Sequence, residues 1–121
     1  MFKLTFIGAG STVFAKNVLG DCLLTPTLGA YEICLFDIDE QRLEDSFLMV
    51  STLAKNLGST NKVTKTMNRR EALSGAKYVV NAIQVGGYEP CTVTDFEIPK
   101  KYGLHQTIGD TLGIGGIFRC V

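Results

Sequence analysis

The chain has 121 residues, enough for one small domain, and its 45% hydrophobic and 20% charged residues are the balance of a globular sequence that buries a core. Twelve basic residues offset twelve acidic ones, so there is no electrostatic footprint of a nucleic-acid binder or of a protein drawn to anionic membranes. Apolar runs such as 33–36 and 78–80 are far too short to span a bilayer, and the opening lacks signal-peptide shape; no membrane partner and a cytoplasmic location are expected.

Residues 3–7 (KLTFI) are a short apolar run bounded by glycine and predict a buried parallel strand. Residues 11–24 predict a helix, with Val13, Phe14, Asn17, Val18 and Cys22 near helical spacing and a stop at Thr25-Pro26. A second strand, 32–36, ends at Asp37. Asp39 is placed to cap the next helix, whose Leu43, Phe47, Val50, Leu53, Ala54 and Leu57 make an apolar face before Gly58 closes it. A third strand at 62–66, a helical turn or two at 69–73 and a fourth strand at 77–82 (KYVVNA) follow. This alternation predicts an α/β fold, a Rossmann-like doubly wound parallel sheet.

Beyond Ala82 the character changes. Val85-Gly86-Gly87 predicts a flexible loop, and 92–101 a helix interrupted by Pro99. The stretch 103–116 holds five glycines (103, 109, 113, 115 and 116) and reads as a surface linker or as a folded loop facing substrate. Thr107, Ile108, Leu112 and Ile114 within it favour the loop. A further helix begins at 115–119. The four cysteines, Cys22, Cys34, Cys91 and Cys120, form no C-x-x-C pair, and His105 has no cysteine closer than 14 residues. Reduced thiols are therefore expected, not disulfides or a zinc site.

Gly8-Ala9-Gly10-Ser11-Thr12-Val13 lies directly between a predicted strand and a predicted helix. There the first glycine permits a sharp turn, and the second lets backbone approach a pyrophosphate with no Cβ in the way. The helix N-terminus offers N–H groups and partial positive charge to the anion, and Ser11 can cap the helix and donate to a phosphate. Val13 stands where the G-x-G-x-x-G pattern has its third glycine, so the loop alone fits a structural turn equally well. Asp37 tips the balance: it ends the second strand 29 residues after Gly8, where a carboxylate binds the adenosine ribose. Its charge would repel a 2′-phosphate, which favours NAD over NADP. Asn81 ends the fourth strand at the rim where such sheets bind ligands, although a turn-forming role fits it too. For Tyr88, Glu89, Asp95, Glu97, His105, Asp110 and Arg119 a solvated surface position is the simpler reading. A Rossmann sheet normally continues with two more strands, so residues 1–121 are expected to be the NAD-binding domain at the N-terminus of a longer enzyme, truncated at Val121.

Two segments go further: FIGAGSTVFAKNVLGD at 6–21, and NAIQVGGYEP, TDFEIPKKYGL and QTIGDTLGIGGIFR within 81–119. They resemble the start of the family 4 glycoside hydrolases, most closely the α-galactosidase (melibiase) branch. The resemblance implies hydrolysis of a small-molecule α-galactoside by a redox-elimination route that departs from the two-carboxylate scheme. Bound NAD⁺ takes hydride from sugar C3, a base removes the C2 proton, the aglycone leaves, water adds and the hydride returns. A divalent metal, usually manganese (Mn²⁺), polarises the C2 and C3 oxygens. The resemblance assigns Gly8, Gly10, Ser11, Thr12 and Asp37 to the cofactor, with Asn81 and Gln84 near the ribose and nicotinamide. It puts the metal ligands and the catalytic acid and base beyond Val121, and implies a homo-oligomer for the full-length parent. His105 and the Cys120-Val121 ending depart from the family pattern. Cys91 stands near where phospho-glycosidase branches carry an arginine, which favours an unphosphorylated galactoside. A malate- or lactate-type dehydrogenase and a non-catalytic nucleotide-binding fragment are the alternatives. Against the first, the loop VGGYEPCTVTD carries none of the arginines that bind hydroxy acids.

Overall fold

The computed structural model describes residues 1–107 and 113–119. It divides into two compact units, Met1–Ile83 and Gln84–Val121.

The first unit is built on four parallel strands, β1 (Phe2–Ile7), β2 (Tyr31–Phe36), β3 (Lys62–Thr66) and β4 (Ala76–Asn81), in the order β3-β2-β1-β4. Parallel neighbours need crossovers, and three helices supply them: α1 (Thr12–Leu23), α2 (Glu40–Asn56) and α3 (Arg69–Leu73). Alternation along the strands sorts the core into two layers. Leu4, Phe6, Ile33 and Leu35 pack with Ala15 and Leu19 of α1 and Leu43 and Val50 of α2. Cys34 and Phe36 turn the other way, onto Ala72 of α3, with Ile7 beside them. Helix-covered faces on both sides make β2 almost continuously buried, as a central strand of a doubly wound sheet must be. Burying a side chain such as Phe6, at 0% exposure, contributes roughly 2–3 kcal/mol. Thr5, also fully buried, satisfies its hydroxyl on the Ala72 carbonyl at 2.7 Å, and Lys3 Nζ caps the end of α3 on the carbonyls of Glu71 (2.8 Å) and Ser74 (3.0 Å).

Most predicted elements are present with shifts of a residue at their ends. Asp39 caps α2 as expected, accepting from the Arg42 N–H at 3.0 Å. Two expectations about helix faces need correction. Helix α1 buries Ala15, Leu19 and Gly20, while Val13 and Phe14 are 66% and 63% exposed at its mouth. Leu57 lies past the end of α2 and is exposed. In β4, an outer strand of these four, Tyr78 and Val79 are half-exposed.

In the second unit a π-type turn (Gly87–Thr92) leads into α4 (Val93–Lys101), and α5 (Ile114–Arg119) follows. Pro99 does not interrupt α4. Proline has no N–H to give the carbonyl four residues back, which belongs to Asp95. The Gln106 side chain donates to that carbonyl instead, Nε2 to O at 3.2 Å, and its Oε1 accepts from the Gly115 N–H at 3.1 Å. A Cβ at Gly115 would strike the Asp95 backbone, so α5 comes as close to α4 as a glycine allows. Helix α4 ends with Gly103 at φ +80°, whose N–H reaches Lys100 while the Leu104 N–H reaches Pro99, the paired bonds of a Schellman cap. Residues 108–112 of the expected substrate-facing loop, with Ile108, Gly109, Asp110 and Leu112, and the Cys120-Val121 ending lie outside the described residues.

Candidate functional site

The strand order reverses between β1 and β4: the chain leaves β1 toward β2 on one side and later returns to pair β4 on the other. Loops at the carboxyl ends of such strands diverge and leave a crevice. Gly8 stands there, held at φ +84°. Its N–H and that of Ala9 both donate to the Phe36 carbonyl at 3.0 Å, tying the loop to the end of β2. A Cβ on Gly8 would lie 2.5 Å from the Ala82 carbonyl oxygen just past β4, so both the backbone angle and the space require glycine.

The loop then crosses to Asp37. The Gly10 N–H donates to Asp37 Oδ2 at 2.7 Å, and the Asp39 N–H donates to Oδ1 at 3.0 Å. The second glycine makes room for this carboxylate: a Cβ there would meet Asp37 Oδ2 at 2.8 Å and Arg42 Cβ at 2.9 Å. This reason stands beside the one the loop pattern suggests, which is clearance for a pyrophosphate. Each Asp37 oxygen keeps a second acceptor direction for a hydroxyl donor.

Ser11 opens α1, but its side chain makes no cap bond, which corrects the capping role expected for it. Its N–H turns back to Gly8 at 3.1 Å and that of Thr12 to Gly10 at 3.0 Å. The amides of Val13 and Phe14, in the first turn, have no acceptor within the helix. No acidic residue occupies that turn, so nothing there offsets the partial positive charge of the helix end. An open cleft of about 550 Å³ lies over it, lined by Gly10, Ser11, Thr12, Val13, Phe14 and Arg42. The exposure of Val13 and Phe14 has its explanation here, since both face this cleft and not the core.

Gly8, Gly10, Ser11, Thr12 and Asp37 thus gather at the ends of β1 and β2, and Gly10, Ser11 and Thr12 line the cleft. Asn81 is the last residue of β4, paired with Ile7 immediately before the loop, and is exposed. Gln84 opens the second unit and is exposed. Two residues of this neighbourhood escaped the sequence reading. Arg42 brings the one positive charge to the cleft lining, its side chain 71% exposed and 3.9 Å from Asp39. Ser46, fully buried on α2, donates to the Ala9 carbonyl at 2.6 Å. A hydroxyl within the stripe Leu43, Ser46, Val50, Ala54 was the available signal.

The other polar candidates divide. Tyr88, Glu89 and His105 are exposed. Glu97 is exposed and pairs with Lys100, whose hydrogen bond and charge hold its carboxyl below the ordinary value. Asp95 corrects the surface reading: it is only 9% exposed, at the base of α4 beside a mainly apolar hollow of about 420 Å³. Asp110 and the Arg119 side chain lie outside the described residues. Cys22, Cys34 and Cys91 are free thiols. Among the described residues no three His, Cys, Asp or Glu side chains gather as metal ligands, so these residues do not fit a manganese site. No helix among them is long and apolar enough to cross a membrane.

Comparison with known proteins agrees with this geometry. The chain is 60% identical over 119 residues to the alpha-galactosidase of Bacillus subtilis (strain 168), an alignment covering 98% of this chain and 28% of that protein. It is 39% identical over 120 residues to the alpha-galactosidase of Rhizobium meliloti (strain 1021), covering 96% of this chain and 24% of that protein. The crystal structure of the 6-phospho-beta glucosidase from Thermotoga maritima with manganese, NAD⁺ and glucose-6-phosphate superposes with a TM-score of 0.75 at 31% identity, covering 96% of this chain and 27% of that one. The chain therefore spans about a quarter of the length of these relatives. The family model described as Family 4 glycosyl hydrolase matches residues 3–121, and the chain belongs to that family.

Proposed function

We infer that residues 1–121 are the NAD-binding portion of an enzyme that hydrolyses α-galactosides. The observation that carries this reading is the Gly10–Asp37 contact beneath the open first turn of α1. It sets an anion-ready helix end beside a carboxylate at the switch point of the sheet. In this reading the amides of Val13 and Phe14, with the hydroxyls of Ser11 and Thr12, receive the pyrophosphate. Asp37 accepts from the ribose hydroxyls through its remaining lone pairs, and Asn81 and Gln84 serve the nicotinamide end. NAD⁺, when bound, supplies a hydride acceptor for a carbinol carbon of the sugar. The residues of this chain bind and orient it, and no proton-transfer step is assigned to them.

The galactoside rests on the similarity to two alpha-galactosidases. Cys91 adds chemical support, since a thiol cannot grip a sugar phosphate as an arginine does. A cytoplasmic location and a homo-oligomeric full-length enzyme complete the proposal. Calorimetric titration of the chain with NAD⁺ and NADP⁺ tests it. The wild type should bind NAD⁺ in preference to NADP⁺, and Asp37→Ser should lose about tenfold or more of that preference, as expected when one charged hydrogen bond is removed. Equal discrimination by both proteins would take Asp37 out of the site.

A further inference from the structure

The Ala9–Gly10 peptide is held at both ends. Its carbonyl accepts from Ser46 Oγ at 2.6 Å, and its amide donates to Asp37 Oδ2 at 2.7 Å. The carbonyl and amide of a trans peptide point in opposite directions, so two side chains from different elements fix the rotation of this one plane. Ser46 is fully buried among Leu43, Val50 and Ala54, on the face of α2 that packs against the core. A hydroxyl at such a position costs stability unless it is bonded, and alanine would complete the stripe without that cost. What the hydroxyl adds is the bond to the loop. With the Ala9 carbonyl drawn toward the core, its oxygen is turned away from the cleft that Gly10, Ser11 and Thr12 line. Were the peptide to flip, that oxygen would point at the Asp37 carboxylate, which repels it, and the Gly10 N–H would leave Asp37 for Ser46.

We propose that Ser46 is a positioning residue for the dinucleotide. By holding the Ala9 carbonyl inward it keeps the Gly10 amide on Asp37, and with it the loop that leads into the first turn of α1. The inference rests on the NAD-binding reading above, and two readouts separate them. Amide hydrogen exchange at Gly10, followed by NMR without ligand, reports the clamp; calorimetric titration with NAD⁺ reports the site. Ser46→Ala should speed Gly10 exchange and weaken NAD⁺ binding, each by about tenfold, the effect of one lost hydrogen bond to a buried carbonyl. Ser46→Thr, which keeps the hydroxyl, should restore both. The amides of Ile33 and Leu35 in the central strand are the control. Equal acceleration there would make Ser46 only a core residue, and unchanged Gly10 exchange would mean that no clamp exists; either result overturns the proposal. Failure of the wild-type chain to bind NAD⁺, with Gly10 exchange still dependent on Ser46, would overturn the dinucleotide reading and leave the clamp standing.

Discussion

Replacing each of the two loop glycines by alanine should have unequal consequences, although the substitutions are chemically identical. At Gly8 the backbone angle is φ +84°, and placing a side chain in the left-handed region costs roughly 1–2 kcal/mol. The new Cβ would also stand 2.5 Å from the Ala82 oxygen and 2.7 Å from its carbonyl carbon. Both are backbone atoms, and the Ala82 N–H is bonded to the Ile7 carbonyl at 2.8 Å, so neither can yield without parting β1 from β4. Relieving such an overlap adds roughly 1–3 kcal/mol. The sum, about 2–5 kcal/mol, corresponds to a fall in melting temperature on the order of 10–25 °C for a unit of this size. At Gly10 the obstacles are Asp37 Oδ2 at 2.8 Å, which can swing aside, and Arg42 Cβ at 2.9 Å, which is fixed to the backbone of α2 and must shift with it. The losses there are the Gly10–Asp37 bond and a milder overlap, each about 1 kcal/mol, with no left-handed backbone to add to them, or on the order of 10 °C. NAD⁺ affinity should fall by about tenfold, because the loop and the ribose acid separate. Thermal melts by circular dichroism, paired with calorimetric titration, read both quantities. A Gly8→Ala protein that melts within 3 °C of wild type (roughly the shift from half a kcal/mol), or a Gly10→Ala protein that is the less stable of the two, would refute the reasoning.

Two further outcomes are expected. Burial, and secondarily the Asp21 carboxylate, pushes the Cys22 thiol up; burial, and secondarily Cys22, does the same to the Tyr31 phenol. Both groups favour folding in their neutral forms, so their contribution is complete below the ordinary thiol value of 9.0 and is lost as pH rises through the raised values. Melting temperature should hold from neutrality to about pH 9 and then decline, with a shallower decline in Cys22→Ala; a flat profile to pH 11 would count against it. Residues 1–121 alone should not turn over a nitrophenyl α-galactoside, since the described residues gather no metal-ligating cluster. The full-length parent should require NAD⁺ and Mn²⁺, and turnover that survives a chelator would sink the assigned chemistry.

The order of strands and helices in the first unit was legible because parallel strands covered on both faces leave short, dense apolar runs bounded by turn residues. Gly8 and Asp37 were legible because a switch-point loop constrains composition at fixed places. What the sequence hid depended on long-range geometry. Val13 and Phe14 look like core residues at helical spacing, yet the sharp exit at Gly8 rotates α1 so that Ala15 and Leu19 face the sheet. Gly10 matches a phosphate-loop pattern, but the neighbour that demands glycine is a carboxylate 27 residues away. Ser46 reads as an ordinary small residue until the Ala9 carbonyl is seen to lie against it.

The Gln106 amide has a consequence for how the second unit opens. Where Pro99 cannot donate to the Asp95 carbonyl, a side chain from outside α4 does. The same amide accepts from the backbone at the start of α5. Neither bond survives if residue 106 leaves: its departure takes a donor from a carbonyl in the first turn of one helix and an acceptor from an amide in the first turn of another at once. Local fluctuations that would fray α5 by itself are therefore charged against α4 as well. The two helices should open and close together, as a single cooperative element whose latch is one uncharged side chain.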